Sequence, residues 1–212
     1  MQHRLPGVCL QRKALHLGRP FPAHFLGKRR RAAVSMRGVE RWMGPVRPFG
    51  TSSLTHVDER SGAAKMVDVS GKAATRRRAR ASCRVELGPL AFEAVQKNSL
   101  KKGDVLTVAK IAGISASKQT AQLIPLCHPL PLSLCDVSLS LEPSSKSVLV
   151  SAEAVTTGPT GVEMEALTAA AVAGLTVYDM CKAVSKGITI SSLRLEEKEG
   201  GKSGSWMREE FH

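Results

Sequence analysis

An α+β fold, with helices on one face of an antiparallel sheet, is predicted for the greater part of this 212-residue chain. Three observations carry that expectation. Apolar and polar residues alternate at about 75–87, where Ala79, Ala81, Cys83, Val85 and Leu87 share one face of a strand. Two further strand-like runs, about 132–141 and 147–157, are joined by Glu142-Pro143-Ser144-Ser145-Lys146, a turn short enough to make them a hairpin. Helical stretches separate these strands, the longest at about 162–185 with the small-residue run Ala166–Ala173 inside it.

The elements follow in order. Gly88-Pro89 breaks the first strand, and Leu90 to Gln96 reads as a short helix with the proline near its first turn. Lys101-Lys102-Gly103-Asp104 is a turn, and Asp104 is placed to cap a helix over about 105–123. Pro125 ends that helix, and Pro125 to Pro131 form a rigid loop before the hairpin. Gly158-Pro159-Thr160-Gly161 leads into the long helix, whose alanines suit close packing on a sheet, and Gly187 is expected to stop it. Ile188, Ile190, Leu193 and Leu195 mark a last strand, and Gly200-Gly201-Lys202-Ser203-Gly204 a flexible tail. Strand, helices, strand, strand, helix, strand is the split βαβ order of a ferredoxin-like sandwich, with an extra helix after the first strand.

Composition narrows the function. The chain is 42% hydrophobic and 23% charged, enough to build a core. Its net charge of +13 is unevenly placed: residues 1–50 hold eleven Lys/Arg and one acid, Glu40, while the other 162 residues are close to neutral. The basicity is therefore a property of a leader, residues 1–53, and not of the body, residues 54–212. Prolines at 6, 20, 22, 45 and 48 and a shortage of apolar residues argue that the leader has no fold of its own. An Arg-rich, acid-poor leader is also the composition of an organelle transit peptide. The first reading leaves the protein cytoplasmic; the second sends it to the mitochondrial matrix. Lys28-Arg29-Arg30-Arg31 is read as solvated charge. Aromatics at 4% leave no stacking platform for single-stranded nucleic acid, and no eighteen-residue apolar run offers a membrane span. Five cysteines, at 9, 83, 127, 135 and 181, form no CxxC pair, which argues against a metal centre or a disulfide framework.

Three segments carry chemistry. In Ile124-Pro125-Leu126-Cys127-His128-Pro129 the prolines fix the backbone, so His128 sits on a preorganised loop, with Cys127 read as a small packing residue beside it. Gly161-Val162-Glu163-Met164-Glu165-Ala166 sets two carboxylates in the first turn of the long helix, where they complement its dipole or border a ligand. In Tyr178-Asp179-Met180-Cys181-Lys182, Asp179 and Lys182 share a helix face. Glu165 and Asp179 lie about 40° apart around that helix but about 21 Å apart along it. If both serve one small substrate, the site belongs to two chains, with two such helices packed antiparallel across their alanines. Lys101, Lys102, Lys110, Lys118, Lys182 and Lys202 around these acids suit a polyphosphate substrate and proton transfers on it. Gly201-Lys202-Ser203 is no phosphate-binding P-loop, because Glu196 stands where the motif needs its first glycine.

Longer motifs recur in order across the body. They are Leu54-Thr55-His56-Val57-Asp58, Met66-Val67-Asp68-Val69-Ser70, Lys102-Gly103-Asp104-Val105, Ile111-Ala112-Gly113-Ile114, the segment Leu123 to Leu130, Thr160 to Thr168, and Leu175 to Ala183. With these the body, about 54–208, resembles the cyclic pyranopterin monophosphate synthases, the MoaC family of molybdenum cofactor biosynthesis. The resemblance implies a phosphorus–oxygen lyase that turns 3′,8-cyclo-7,8-dihydro-GTP into cyclic pyranopterin monophosphate and releases pyrophosphate, with no cofactor or metal. It implies a homo-hexamer built from dimers, with sites between chains. By motif, the catalytic groups fall on Asp179, Lys102 and Lys182. Substrate contacts fall on Leu126, Cys127, His128, Glu163, Met164 and Glu165, and less specifically on Arg77, Lys118 and Lys202. The leader is a departure from the family core. The cysteine-bound clusters of the radical enzyme often fused to this domain have no motif here, so the chain is not expected to make its own substrate.

Overall fold

The structure is a computed structural model that describes residues 62–209. The predicted leader and the predicted start of the body at Leu54 lie outside the described residues. Strand β1 (Thr75–Glu86) is the alternating strand anticipated above: Ala79, Ala81, Cys83 and Val85 are buried on one side. Helix α1 (Gly88–Gln96) opens two residues earlier than expected, where Gly88 takes a left-handed φ of 70° and Pro89 sits in the first turn. Asp104 caps helix α2 (Val105–Ser117), accepting from the Thr107 amide at 3.1 Å.

The single helix expected over 105–123 is broken. α2 stops at Ser117, Lys118 and Gln119 form a turn, and one further helical turn, α3 (Thr120–Leu123), follows. The buried Thr120 hydroxyl donates to the Ser117 carbonyl at 2.9 Å, a local bond that competes with the helical ladder. The hairpin forms as expected from strands β2 (Leu134–Glu142) and β3 (Ser147–Gly158), with Glu142 opposite Ser147.

Helix α4 (Glu163–Cys181) ends four residues short of the predicted limit. Its chain turns tightly there, with the Val184 and Ser185 amides both donating to the Cys181 carbonyl. Gly187 is not in the left-handed region and plays no capping part. Strand β4 (Thr189–Glu199) pairs with β1 through two register shifts, and Ser192 at φ 53° sits in the second. The bulge turns Leu193 outward, 47% exposed, while Ile188 stays buried. The expected flexible tail is a defined turn instead. The Gly204 amide donates to the Gly201 carbonyl, the Lys198 ammonium donates to the Gly204 carbonyl at 2.8 Å, and a short strand β5 (Trp206–Met207) pairs back onto Glu197 and Lys198.

The five strands form one antiparallel sheet in the order β2-β3-β1-β4-β5, and helices α2 and α4 cover one face. The ferredoxin-like α+β prediction holds. Opposed pairs at the centre of the sheet are small: Ala79 faces Ala154, Ala81 faces Ala152, and Cys83 faces Val150. Ala166, Ala169, Ala170 and Ala173 of α4 are fully buried above them. The Cys83 thiol donates to the Ala170 carbonyl at 3.2 Å, which ties the helix to the middle strand. Val85, Val148 and Val150 fill the core around this contact, each worth roughly 1.5–3 kcal/mol of burial. The opposite face is polar. There Arg78 is clamped by Glu153, Glu197 and Glu199 at 2.6–3.0 Å, and its guanidinium in turn holds the Glu153 carboxyl below the usual carboxylate range.

Helix α2 meets α4 at Gly113. A Cβ there would stand 2.8 Å from the Ala169 carbonyl oxygen and 3.2 Å from both Ala173 and Val137. The obstacle is backbone, which cannot rotate away. Gly113→Ala is therefore expected to destabilise the fold by about 1 kcal/mol or more, despite alanine's advantage in a helix. Gly71→Ala, where a Cβ meets nothing within 4 Å, should change stability by no more than about 0.5 kcal/mol. Urea denaturation of the two variants checks both; equal midpoints would contradict the close contact of α2 with α4.

Candidate active site

The C-terminal end of α4 carries a three-membered charge cluster. Asp179 projects from the last turn, and Lys182, three residues on, reaches its Oδ1 at 2.6 Å. Lys102 arrives from the α1–α2 turn, where Gly103 at φ 90° lets the chain reverse. Its ammonium donates to Asp179 Oδ2 at 2.8 Å and to the Asp179 carbonyl at 2.9 Å. The bond from Lys102, followed by that from Lys182, holds the Asp179 carboxyl down at about 2. Asp179 in turn raises the Lys182 ammonium above the ordinary lysine value. About half of each side chain remains exposed, so the cluster is open to a ligand.

The N-terminal end of α4 borders a cavity of about 270 Å³. The proline-framed loop forms one wall through Leu126, Cys127 and His128, and Glu163, Met164 and Glu165 form another. The loop is pinned at both ends. The Cys127 amide donates to the Ile124 carbonyl at 3.1 Å, and the buried Thr156 hydroxyl donates to the Pro131 carbonyl at 2.6 Å. Glu163 folds its carboxylate back over Gly161, where a Cβ would lie 2.0 Å from its Oε2. Glu165 is only 4% exposed, and burial raises its carboxyl above the usual glutamate value. Burial, with the charge of Glu165 adding to it, also raises the Cys127 thiol, so this cysteine lines the wall as a neutral group.

A second cavity, about 360 Å³, opens beside the first and is lined by Lys72, Arg77 and Lys202 with Gly71, Ala73, Thr75 and Gly201. Arg77 lies against the Gly200-Gly201 turn, and a Cβ on Gly201 would fall 1.8 Å from its Nη1. Both glycines have left-handed φ values, 92° and 78°. The Arg77 Nε is buried without a hydrogen-bond partner among the described residues. No carboxylate lines this cavity.

Eleven of the twelve site residues predicted from sequence thus collect at the two ends of α4, as a cation–carboxylate cluster at one and paired cavities at the other. Lys118 does not join them. It stands exposed at the break between α2 and α3, within electrostatic reach of Cys135, and lines neither cavity. Lys110, also counted among the cations, is engaged by Asp136 at 3.0 Å. Ala166, Ala169, Ala170 and Ala173 of the run are buried within the chain, whereas Leu167, Ala171 and Val172 stay partly exposed. Lys72, which lines both cavities, was not singled out from the sequence: it stands two residues past the Met66–Ser70 motif, and a lone lysine in a loop has no periodicity to mark it.

The electrostatics of the cluster are open to a direct test. Asp179 should stay ionised down to about pH 2, and Lys102→Ala should move its titration back toward 3.8. Because the folded value lies below the unfolded one, the stabilisation from Asp179 is present above about pH 3.8 and fades as pH falls through about 2. NMR titration of the Asp179 carboxyl in both proteins gives the two midpoints, and identical midpoints would show that Lys102 does not hold the carboxylate.

Comparison with known proteins agrees with these motifs. The model of the MoaC family matches residues 66–201, which include both ends of α4 and the residues lining the two cavities except Lys202. The chain is 59% identical over 157 residues to the mitochondrial cyclic pyranopterin monophosphate synthase of Arabidopsis thaliana, an alignment covering 74% of this chain and 58% of the plant protein. It is 54% identical over 159 residues to the cyclic pyranopterin monophosphate synthase of Rhodospirillum rubrum, covering 75% of this chain and 95% of the bacterial one. Molybdenum cofactor biosynthesis protein 1 of Mus musculus is 55% identical over 165 residues, which span 77% of this chain but 26% of the mouse protein. The chain therefore spans little more than half of the plant relative and about a quarter of the mouse one. Matched by the family model over residues 66–201 and 54–59% identical to these synthases, the chain belongs to the MoaC family.

Proposed function

We propose that the protein is a lyase of molybdenum cofactor biosynthesis that converts 3′,8-cyclo-7,8-dihydro-GTP to cyclic pyranopterin monophosphate and pyrophosphate. The observation that carries this reading is the Lys102–Asp179–Lys182 cluster, an anchored carboxylate between two accessible ammonium groups. Such a set can give and take protons while the five-membered guanine ring opens and the pterin ring closes. Arg77 and Lys202 supply charge-assisted bonds to the triphosphate. In the last step a hydroxyl oxygen bonds to the innermost phosphorus as the bond to the pyrophosphate oxygen breaks. The hydroxyl proton passes to a base, and pyrophosphate leaves with the bonding electron pair. Positioning and charge stabilisation dominate such a transfer.

The reading includes a homo-oligomer, a hexamer built from dimers, with each site shared between chains. Its support is the length of α4. Glu165 and Asp179 sit on one continuous helix about 21 Å apart, too far to meet on one ring system. Glu165 faces a cavity while Asp179 faces solvent, so a second chain bringing its Asp179 end to the first chain's Glu165 end completes the set. Mitochondrial residence belongs to the same reading, supported by the Arg-rich, acid-poor leader and by the mitochondrial plant relative. No described helix is long and apolar enough to cross a membrane.

Incubating the full chain with the cyclic dihydro-GTP and following pyrophosphate and a pterin product tests the activity; absence of both would refute it. Lys102→Ala, Asp179→Ala and Lys182→Ala are each expected to lower turnover by about 10²–10⁴-fold while the assembly stays intact in sedimentation. Mixing Glu165→Ala with Asp179→Ala should restore part of the activity, because one site of a mixed pair keeps both native groups. With subunit exchange demonstrated by mass spectrometry, no recovery would show that these two residues do not share a site.

A further inference from the structure

Lys202 reaches the Arg77 cavity from the loop between β4 and β5. Three of the five residues from Gly200 to Gly204 are glycines, all with left-handed φ values of 92°, 78° and 63°. Glycine loses more freedom than any other residue on being ordered, so such a loop stays closed only where contacts hold it. The Gly204 amide donates to the Gly201 carbonyl at 3.1 Å, which makes Lys202 and Ser203 the corner residues of a turn. A second hold comes from a side chain. Lys198 of β4, opposite Trp206, donates its ammonium to the Ser203 hydroxyl and to the Gly204 carbonyl, the latter at 2.8 Å. Among the described residues that ammonium forms no ion pair, so its engagement is with the turn. The base of the loop is held separately. The Arg208 amide donates to the Glu196 carbonyl and its Nε to the Leu195 carbonyl, both at 2.8 Å, and its guanidinium lies 5.6 Å from the centre of the Trp206 ring. Those contacts keep β5 on β4, and Lys198 acts further out, on the turn that packs against Arg77.

We propose that Lys198 is a positioning residue for Lys202: by holding the Gly201–Gly204 turn closed, it keeps Lys202 in the wall of the Arg77 cavity. The proposal rests on the functional reading above, in which Lys202 meets the substrate's phosphates, and adds to it the residue that places that cation. Lys198 lines neither of the cavities at the start of α4. Its charge is directed at two neutral oxygens of the turn, so it acts through the turn and touches no substrate. Without it Lys202 sits on a glycine-rich loop with many open conformations. The substrate must then order that loop as it binds, and the entropic cost falls on affinity. The groups that move protons, Lys102, Asp179 and Lys182, stand on other elements and keep their own contacts. The signature of the role is therefore a higher KM with kcat little changed.

Steady-state kinetics of the full chain on the cyclic dihydro-GTP separate this role from a structural one. Lys198→Met, which keeps an apolar stem and removes the ammonium, should raise KM by about tenfold and change kcat by less than about twofold. Lys198→Arg, whose guanidinium can donate to both oxygens, should recover most of the loss. Ser203→Ala removes one acceptor, leaves the lysine in place and should raise KM by about threefold, so the test does not depend on one variant folding. The double variant decides between the roles. In a Lys202→Gln background, Lys198→Met should raise KM by less than about twofold further, because the cation it places is already gone. A full tenfold step in both backgrounds overturns the proposal, by showing that Lys198 acts independently of Lys202. An unchanged KM in both Lys198→Met and Ser203→Ala, or a fall in kcat without a rise in KM, overturns it as well. These outcomes, in an active wild type, leave the functional reading standing. A wild-type chain that releases no pyrophosphate overturns the functional reading and this proposal with it.

Discussion

The contact between α4 and the middle of the sheet is the constraint on which the site depends. β1 and β3 present alanines and a cysteine at the centre, α4 presents alanines and Gly174 above them, and the Cys83 thiol bonds to the Ala170 carbonyl between the two layers. Gly174 lies so near that a Cβ on it would sit 3.0 Å from the Cys83 sulfur. A helix held this closely by backbone-sized contacts has little freedom to slide or roll. Both halves of the site are fixed to that helix, one at each end. Its rigidity is what gives Glu165 and Asp179 a defined separation.

The two ends are prepared in opposite electrostatic senses. At the C-terminal end Asp179 is kept as an anion by two lysines, and all three stay accessible. At the N-terminal end Glu165 is withdrawn from water, which favours its protonated form. Two carboxylates on one helix thus differ in proton affinity because of what surrounds them, a common way for one fold to hold an acid and a base together at a single pH. The polar face of the sheet shows a third environment. There Arg78 of β1 is held among Glu153 of β3 and Glu197 and Glu199 of β4, which ties the three central strands together.

The glycines at 161, 200 and 201 share a different logic. Each clears space for a charged side chain rather than for the backbone alone: Gly161 for the Glu163 carboxylate, Gly200 and Gly201 for Arg77 and its carbonyl neighbour Arg76. Read from sequence, Gly200 to Gly204 suggested slackness. The structure uses the same glycines for a tight turn, because left-handed φ values are easy there and the freed amides and carbonyls find partners in Lys198 and Gly201.

Patterns local to the chain were legible in advance. Alternation marked β1, the Glu142–Lys146 turn marked the β2–β3 hairpin, Asp104 announced the start of α2, and the prolines around His128 announced a fixed loop; each depends on backbone preferences that act within a few residues. Family motifs drew attention to Asp179, Lys102 and Lys182, which the structure brings into one cluster. Three things depended on distance in space instead. The break at Thr120 comes from burying its hydroxyl, which only the packed neighbours enforce. The meeting of Lys102 with Asp179 joins residues 77 positions apart. Lys72 lines two cavities whose other walls are supplied by β1, α4, the proline-framed loop and the Gly200 turn, so no spacing in the sequence encodes its place. Helix and strand are short-range consequences of residue order, whereas a shared proton site and the junction of two cavities exist only once sheet closure has brought remote segments within a few ångströms.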